Sequence, residues 1–411
     1  MKLADLEDKN VLLVGLGKEG KATQAFLEKM VPSATVTAVD ENQGADYLAH
    51  QKEFDLAIKS PGVKPDQLTI PYTTATNLFF ALVKGKTIGV TGTKGKSTTA
   101  SLLYAMLLEA QKKVHLVGNI GNPMLTELLV SNTLEDYWVC ELSSYQLADI
   151  EYAPDIAVIT SLFPEHMDYH GSIDAYYQAK MRIIANATEK NTLVYDPTSQ
   201  VALMLEETTV VTVPFIESLP FPESEIPLLG VHNISNIRAA ITVAQLLGIA
   251  DSVIEQAVKQ FQPLAHRLQN VGTFKGITFY DDAISTTPQS TVAALNAIPS
   301  IGTIFLGGED RGYDFTPLVQ ELAKKEIPAI VLFPESGEKI KNLLQQEKTY
   351  HPQILETTTT RDAVAFAYAH TPIGMSCVMS PASPSYSLWK NFLERGDEFQ
   401  SIVKELGQEG E

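Results

Sequence analysis

Thr87-Ile88-Gly89-Val90-Thr91-Gly92-Thr93-Lys94-Gly95-Lys96-Ser97-Thr98 begins as a short apolar run and ends in a turn of glycine, hydroxyl and lysine residues. The run reads as a buried strand. The turn has the composition of a phosphate cradle. Its backbone N–H groups would hold phosphate oxygens, Lys96 would neutralise the β/γ charge, and the Ser97 hydroxyl is a natural Mg²⁺ ligand. The spacing is shorter than the standard Walker loop, since only Thr93 and Lys94 separate Gly92 from Gly95-Lys96. A plain solvated turn is the competing reading, and the apolar strand ahead of it argues against that. Thr98 to Gln111 follows with helical character, so this stretch is the strand–loop–helix of an α/β nucleotide domain.

The same alternation extends both ways. Upstream, Asn10 to Gly15 reads as a strand, Lys18 to Lys29 as a helix, Ala34 to Val39 as a strand ending at Asp40, and Phe54 to Ile58 as a strand ending at Ser60-Pro61-Gly62. Downstream, Asp136 to Glu141 and Ile156 to Ser161 read as strands, Ile216 to Glu225 as a loop, and His232 to Leu247 as a helix. A third run of strands covers Ile277 to Tyr280, Thr303 to Leu306 (stopped by Gly307-Gly308), Ala329 to Phe333 and Cys377 to Met379. The expected fold is α/β with parallel, doubly wound sheets in three domains: 1–85, 86–265 and 266–411.

Composition narrows the function. The 411 residues carry a formal net charge of −18, which argues against broad binding to a nucleic-acid backbone. A small anionic substrate remains compatible, because local cations and helix N-termini suffice to hold one. The two cysteines, Cys140 and Cys377, form neither a disulfide framework nor a zinc spacing. With a charged N-terminal segment and no apolar run of about 18–20 residues, a cytoplasmic protein without membrane insertion is expected.

Several further motifs carry chemistry. Gly15-Leu16-Gly17-Lys18-Glu19-Gly20 follows a strand and opens a helix, with Asp40 downstream, as in a dinucleotide-binding turn. Glu141, in Cys140-Glu141-Leu142-Ser143-Ser144-Tyr145-Gln146-Leu147, ends an apolar strand, where a carboxylate suits Mg²⁺ beside a phosphate or simply flanks a helix. Asn233 and Asn236 share a helix face and suit contacts to adenine or ribose, with N-capping by Asn233 as the alternative. In the third block, Tyr280-Asp281-Asp282-Ala283, Gly307-Gly308-Glu309-Asp310-Arg311-Gly312 and Ser380-Pro381-Ala382-Ser383-Pro384-Ser385 form polar strand-exit loops that would share one sheet edge.

Together these residues resemble the Mur ligase family. The match rests on Gly92–Thr98, on Glu141 in Glu-Leu-Ser-Ser-Tyr-Gln-Leu, on His166 in Glu-His-Met-Asp, and on His232-Asn233 with Asn236. The first block and the Ser380–Phe399 segment resemble the D-glutamate-adding branch, and the resemblance covers nearly the whole chain. It implies an N-terminal Rossmann-like UDP-binding domain, a central mononucleotide (ATP) domain and a C-terminal Rossmann-like domain. It also implies an ADP-forming ligase of peptidoglycan synthesis that joins glutamate to UDP-N-acetylmuramoyl-L-alanine through an acyl phosphate, working as a monomer.

The site residues implied by the resemblance follow from the matched motifs. Lys96, His166 and Lys180 match catalytic positions. Gly92, Thr93, Lys94, Gly95, Lys96, Ser97, Thr98, Asn233, Asn236, Arg267 and Asp282 match the ATP site, the last two on closure of the third domain. Ser97, Glu141, His166 and Lys180 match the ligands of two Mg²⁺ ions, with Lys180 carried as a carbamate. Gly17, Lys18, Asp40, Gly62 and Asn119 match the UDP-substrate site, and Arg311, Ser385 and Phe392 the glutamate pocket. Two positions depart from the branch: Ile284 stands where lysine is usual, and Arg311 where lysine is common. An L-glutamate-adding relative is therefore the alternative. A folylpolyglutamate synthase lacks the N-terminal block, a nicotinamide-dependent dehydrogenase leaves Lys96, Glu141, His166 and Lys180 unexplained, and a non-catalytic sensor has no need of them.

Overall fold

The alternation of apolar runs and amphipathic segments builds three sheets. The computed structural model describes residues 2–165, 167–205, 209–228, 230–262 and 264–408, apart from the side chains of Met167 and Asp168. The first sheet contains β1 (Asn10–Val14), β2 (Thr35–Val39), β3 (Leu56–Lys59) and β4 (Tyr72–Thr74), all parallel in the order β2-β1-β3-β4. The second contains β5 (Lys86–Thr91), β6 (Lys113–Gly118), β7 (Asp136–Glu141), β8 (Ile156–Ile159), β9 (Thr192–Tyr195) and β10 (Val211–Pro214). It is wholly parallel, in the order β10-β9-β8-β5-β7-β6.

The third sheet contains β11 (Gln269–Phe274), β12 (Ile277–Asp281), β13 (Ile301–Gly308), β14 (Ala329–Glu335), β15 (Gln353–Glu356) and β16 (Ser376–Met379). Its order is β11-β12-β16-β13-β14-β15, and β11 is the antiparallel edge. Gly307 and Gly308 do not stop β13. They continue pairing with β14 through a bulge, each with positive φ. Absence of a Cβ is what allows this, because at Gly307 it would lie 2.3 Å from the Phe333 carbonyl.

The chain divides into two compact units, Met1–Ile226 with His232–Phe261, and Pro227–Val231 with Gln262–Glu411. The first two sheets lie within the first unit and contribute to one apolar cluster, in which the buried rings of Phe79 and Trp138 meet edge to face at 5.4 Å. Each such large side chain contributes about 1.5–3 kcal/mol on burial. Central strands β5, β7 and β8 are buried nearly end to end, as a sheet covered on both faces requires. In the first two sheets the chain reverses its winding between adjacent strands, at β1/β3 and at β5/β8. Open α/β sheets bind ligands at the carboxyl ends of such strands. No helix of the described residues is long and apolar enough to cross a membrane.

Candidate active site

The turn after β5 is shaped by two glycines in conformations that side chains resist. Gly92 has φ +146° and Gly95 has φ +87°. A Cβ on Gly92 would lie 2.0 Å from Thr160 Oγ1, and one on Gly95 would lie 2.1 Å from Asn236 Oδ1. Helix Lys96–Glu109 starts directly at Lys96, earlier than its apolar pattern suggested, with Gly95 at the N-cap and no capping side chain. With no acceptor from an N-cap side chain, the start of this helix suits an anion. The exit of β8 straps the turn from the other side of the switch point. Thr160 Oγ1 donates to the Lys94 carbonyl at 2.6 Å, the Lys94 N–H donates to Ser161 Oγ at 3.0 Å, and the Thr93 N–H donates to the Ser161 carbonyl at 2.7 Å.

Two lysines converge on this turn. Lys96 Nζ donates to the carbonyls of Gly92 (3.0 Å) and Thr93 (2.9 Å), and Lys180 Nζ donates to the same Gly92 carbonyl at 2.7 Å. Lys180 comes from helix Ile173–Met181, is 1% exposed, and sits 4.9 Å from the centroid of the Tyr176 ring. Burial, then the Lys96 charge nearby, holds its ammonium well below the ordinary lysine range. Tyr176 in turn donates to Thr93 Oγ1 at 3.0 Å. Lys94 reaches outward to Glu165 at 2.7 Å. Ser97 lies half-buried in the first helical turn, while Thr98 is buried with no hydrogen-bond partner for its hydroxyl among the described residues.

Glu141 ends β7 beside this turn, 1% exposed. Asn119 Nδ2 donates to its Oε1 at 3.0 Å, whereas its buried Oε2 has no hydrogen-bond partner among the described residues. A buried carboxylate oxygen left open is costly unless a cation or donor reaches it. The residues present thus fit a divalent ion near Glu141 and Ser97. His166 lies outside the described residues, and no cluster of three or more His, Cys, Asp or Glu side chains is found among the described ones. Asn233 lies inside helix Val231–Leu246 instead of capping it, and accepts from Asn236 Nδ2 at 3.1 Å. Both amides are buried, with Asn236 packed on Gly95.

The turn after β1 repeats the strand–glycine–helix plan. Helix Lys18–Met30 has Gly17 at its N-cap and no capping side chain. Gly17 and Gly62 have open space where a Cβ would stand and no left-handed φ, so neither packing nor backbone conformation explains glycine there. Asp40 accepts from the Leu16 N–H at 2.7 Å and from Asn42 Nδ2 at 2.6 Å, so its carboxylate holds the turn itself, and these bonds keep its pKa below the usual value. Lys18 Nζ donates to the Gly121 carbonyl at 3.0 Å, close in sequence to Asn119.

In the second unit, Asp282 is buried and accepts from Ser380 Oγ at 2.7 Å and from the Leu268 N–H at 3.2 Å; burial raises its pKa to about 6. Its neighbour Asp281 holds His266 at 2.7 Å. Arg267 follows in the same bend, half-buried. Ser385 is buried, Phe392 opens helix Phe392–Gln408 and meets the His266 ring edge-on at 6.3 Å, and Arg311 is half-exposed, with Nε 2.9 Å from Glu309 and its guanidinium over Tyr386. Ile284 is half-buried and brings no charge. Thr160, Ser161 and Tyr176 were missed by the sequence reading. The strand-exit position of the first two, and the i,i+4 spacing of Tyr176 to Lys180, were the available signals.

Comparison with known proteins matches residues 90–219 to the Mur ligase middle domain. The UDP-N-acetylmuramoylalanine–D-glutamate ligase of Streptococcus pyogenes serotype M49 is 32% identical, covering 97% of this chain and 97% of its own. The enzyme of the same name from Streptococcus sanguinis is also 32% identical, over 98% and 99%. Among solved structures, the UDP-N-acetylmuramate–alanine ligase of Thermotoga maritima superposes with TM-score 0.63 at 16% identity, covering 97% of this chain and 100% of its own. The MurF ligase of Thermotoga maritima in complex with ADP gives 0.63 at 15%, over 98% and 97%. At that identity these two establish likeness of fold.

Proposed function

The chain belongs to the Mur ligase family, and on that premise we propose that it joins D-glutamate to the carboxylate of UDP-N-acetylmuramoyl-L-alanine, with ATP converted to ADP and phosphate, in peptidoglycan precursor synthesis. The observation that supports this most strongly is the meeting of Lys96 and buried Lys180 on the Gly92 carbonyl, next to an uncapped helix and a carboxylate with one open oxygen.

A carboxylate is a poor electrophile, so the acceptor must be activated. Its oxygen attacks the γ-phosphorus of ATP, the bond to the β-phosphate bridging oxygen breaks, and ADP leaves. The glutamate amine then attacks the acyl carbonyl, phosphate departs, and the amine proton passes to solvent. Phosphoryl transfer of this kind needs positioning and charge neutralisation above all. We assign neutralisation to Lys96 and the N–H groups of Gly95–Thr98, and adenine-side contacts to Asn233 and Asn236, with Arg267 and Asp282 in the same ATP set. Ser97, Glu141, His166 and carbamylated Lys180 would hold Mg²⁺, which when bound supplies further charge stabilisation for the phosphates. The depressed Lys180 pKa supports that modification, because the neutral amine is the form that adds CO₂. Gly17, Lys18, Gly62 and Asn119 are assigned to the nucleotide sugar, with Asp40 shaping the turn. Arg311, Ser385 and Phe392 are assigned to glutamate. Arginine can hold a carboxylate bidentately, so Arg311 is the cation for the amino acid where Ile284 supplies none.

The test is phosphate release with UDP-N-acetylmuramoyl-L-alanine, ATP and Mg²⁺, with D- and L-glutamate run side by side. Release with the D enantiomer is expected. Release with L-glutamate alone would shift the assignment to the alternative relative, and release with neither would remove the ligase reading.

A further inference from the structure

Between the first and second sheets lies a polar brace that the ligase chemistry does not use. Lys59, the last residue of β3, is 1% exposed, and its Nζ is 2.6 Å from Asp149 Oδ2, on a carboxylate whose side chain is itself 9% exposed. The other oxygen of Asp149 accepts from Tyr72 Oη of β4 at 2.8 Å. The Asp149 backbone carbonyl accepts from Asn77 Nδ2 at 2.9 Å, in helix Ala75–Leu82. A few residues earlier, Gln146 Nε2 donates to Glu19 Oε2 at 3.3 Å, in the first turn of helix Lys18–Met30. Four elements of the first sheet's layer thus converge on Gln146–Asp149, the segment that follows Glu141 and β7.

Both ends of this brace touch the proposed sites. Lys59 pairs in register with Val14 and Thr74, placing it beside the Gly15 turn, and Ser60-Pro61-Gly62 follow it directly. Ser60 Oγ donates to the Gly15 carbonyl at 3.1 Å, and Tyr169 Oη of the second sheet's layer donates to the Pro61 carbonyl at 3.3 Å. Apolar packing alone would hold two sheets together without fixing their register, since it is non-directional. A buried ion pair with a hydrogen-bonded carboxylate is directional, and loses heavily when either partner shifts.

We propose that Lys59 and Asp149 are positioning residues: their buried ion pair sets the nucleotide-sugar loop Ser60–Gly62 at a fixed distance from the Glu141 and Lys96 side, so that the acceptor carboxylate meets the γ-phosphate. This rests on the ligase reading. The pair touches neither substrate; it acts through the loop and the Gln146–Asp149 segment. Loss of register raises KM for the nucleotide sugar and lowers kcat, while ATP, held by the second sheet's own turn, keeps its KM.

The experiment compares wild type, Lys59→Met, and the double variant Lys59→Met/Asp149→Asn, each assayed below its melting temperature. Lys59→Met leaves Asp149 as an unpaired buried charge and is expected to melt lower. The double variant removes both charges, keeps an acceptor for Tyr72, and is expected to regain most of the melting temperature. A purely structural pair predicts that activity returns with stability. The brace predicts that the double variant keeps a KM for the nucleotide sugar raised about tenfold and a kcat lowered about tenfold, with KM for ATP within about twofold. Wild-type kinetics in the double variant would overturn the brace. Wild-type protein that releases no phosphate with either glutamate enantiomer would overturn the ligase reading, and the brace with it.

Discussion

Replacing Gly95 with alanine perturbs the phosphate turn at its tightest point. Gly95 sits at φ +87° and ψ −15°, where an alanine pays about 1–2 kcal/mol for the left-handed backbone. Its new Cβ would stand 2.1 Å from Asn236 Oδ1, so the amide must move. Moving it breaks the buried 3.1 Å hydrogen bond to Asn233, a further loss of about 1 kcal/mol. The sum is roughly 2–3 kcal/mol, which lowers the melting temperature of the first unit by roughly 5 °C. The reshaped turn should also raise KM for ATP at least about tenfold, equivalent to about 1.4 kcal/mol of binding. Differential scanning fluorimetry and ATP titration of phosphate release read the two effects. Adding Asn236→Ala removes the collision but keeps the backbone strain and deletes the same hydrogen bond to Asn233, so the double variant should melt close to Gly95→Ala alone, the two losses not adding. Wild-type melting and ATP KM in Gly95→Ala would refute the reasoning. Strict additivity in the double variant would refute the steric part.

Three further outcomes are expected. Glu141→Gln keeps the Asn119 hydrogen bond but removes the charge at the open Oε2, so a Mg²⁺ titration of activity should shift to at least about tenfold higher concentration; an unshifted curve would exclude Glu141 as a ligand. Exhaustive removal of CO₂ from buffers should lower activity, with bicarbonate restoring it, while Lys180→Met should be inactive and indifferent to bicarbonate; equal wild-type activity with and without CO₂ would count against the carbamate. Burial raises the Glu19 pKa from 4.5 to about 7, so the folded state binds its proton more tightly than the unfolded chain. Its contribution is fully present below about pH 4.5 and is lost as pH rises through about 7, at most about 3 kcal/mol. Glu19→Gln should flatten that part of the urea-stability profile, and an unchanged slope would contradict the shift.

Local pattern was enough to read the elements that carry chemistry. Strands β1, β5, β7 and β8 are buried on both faces, so they appear as continuous apolar runs bounded by glycine or a carboxylate. The sheet edges, and β9 next to one of them, were harder. β4, β9, β10, β11 and β15 are short or partly exposed and mix threonine, tyrosine and glutamine with apolar residues, so neither periodicity dominates. β6 was hidden for the same reason, with Lys113 and His115 inside it; His115 is accommodated by stacking on Trp138 at 4.2 Å, a contact between strands that no local pattern records. The early start of helix Lys96–Glu109 also escaped, because Lys96, Ser97 and Thr98 are polar and its apolar face begins later.

The sequence by itself determined the three α/β blocks, the glycine-rich turns that close their strands, and the family to which the motifs point, because each depends on residues adjacent along the chain. Only the tertiary structure decided that Lys180 shares the Gly92 carbonyl with Lys96, that Asn236 packs on Gly95, and that Lys59 pairs with Asp149. These partners stand far apart in sequence. Burial makes each contact strong by excluding water, and burial is a property of the folded sheets rather than of any stretch of residues.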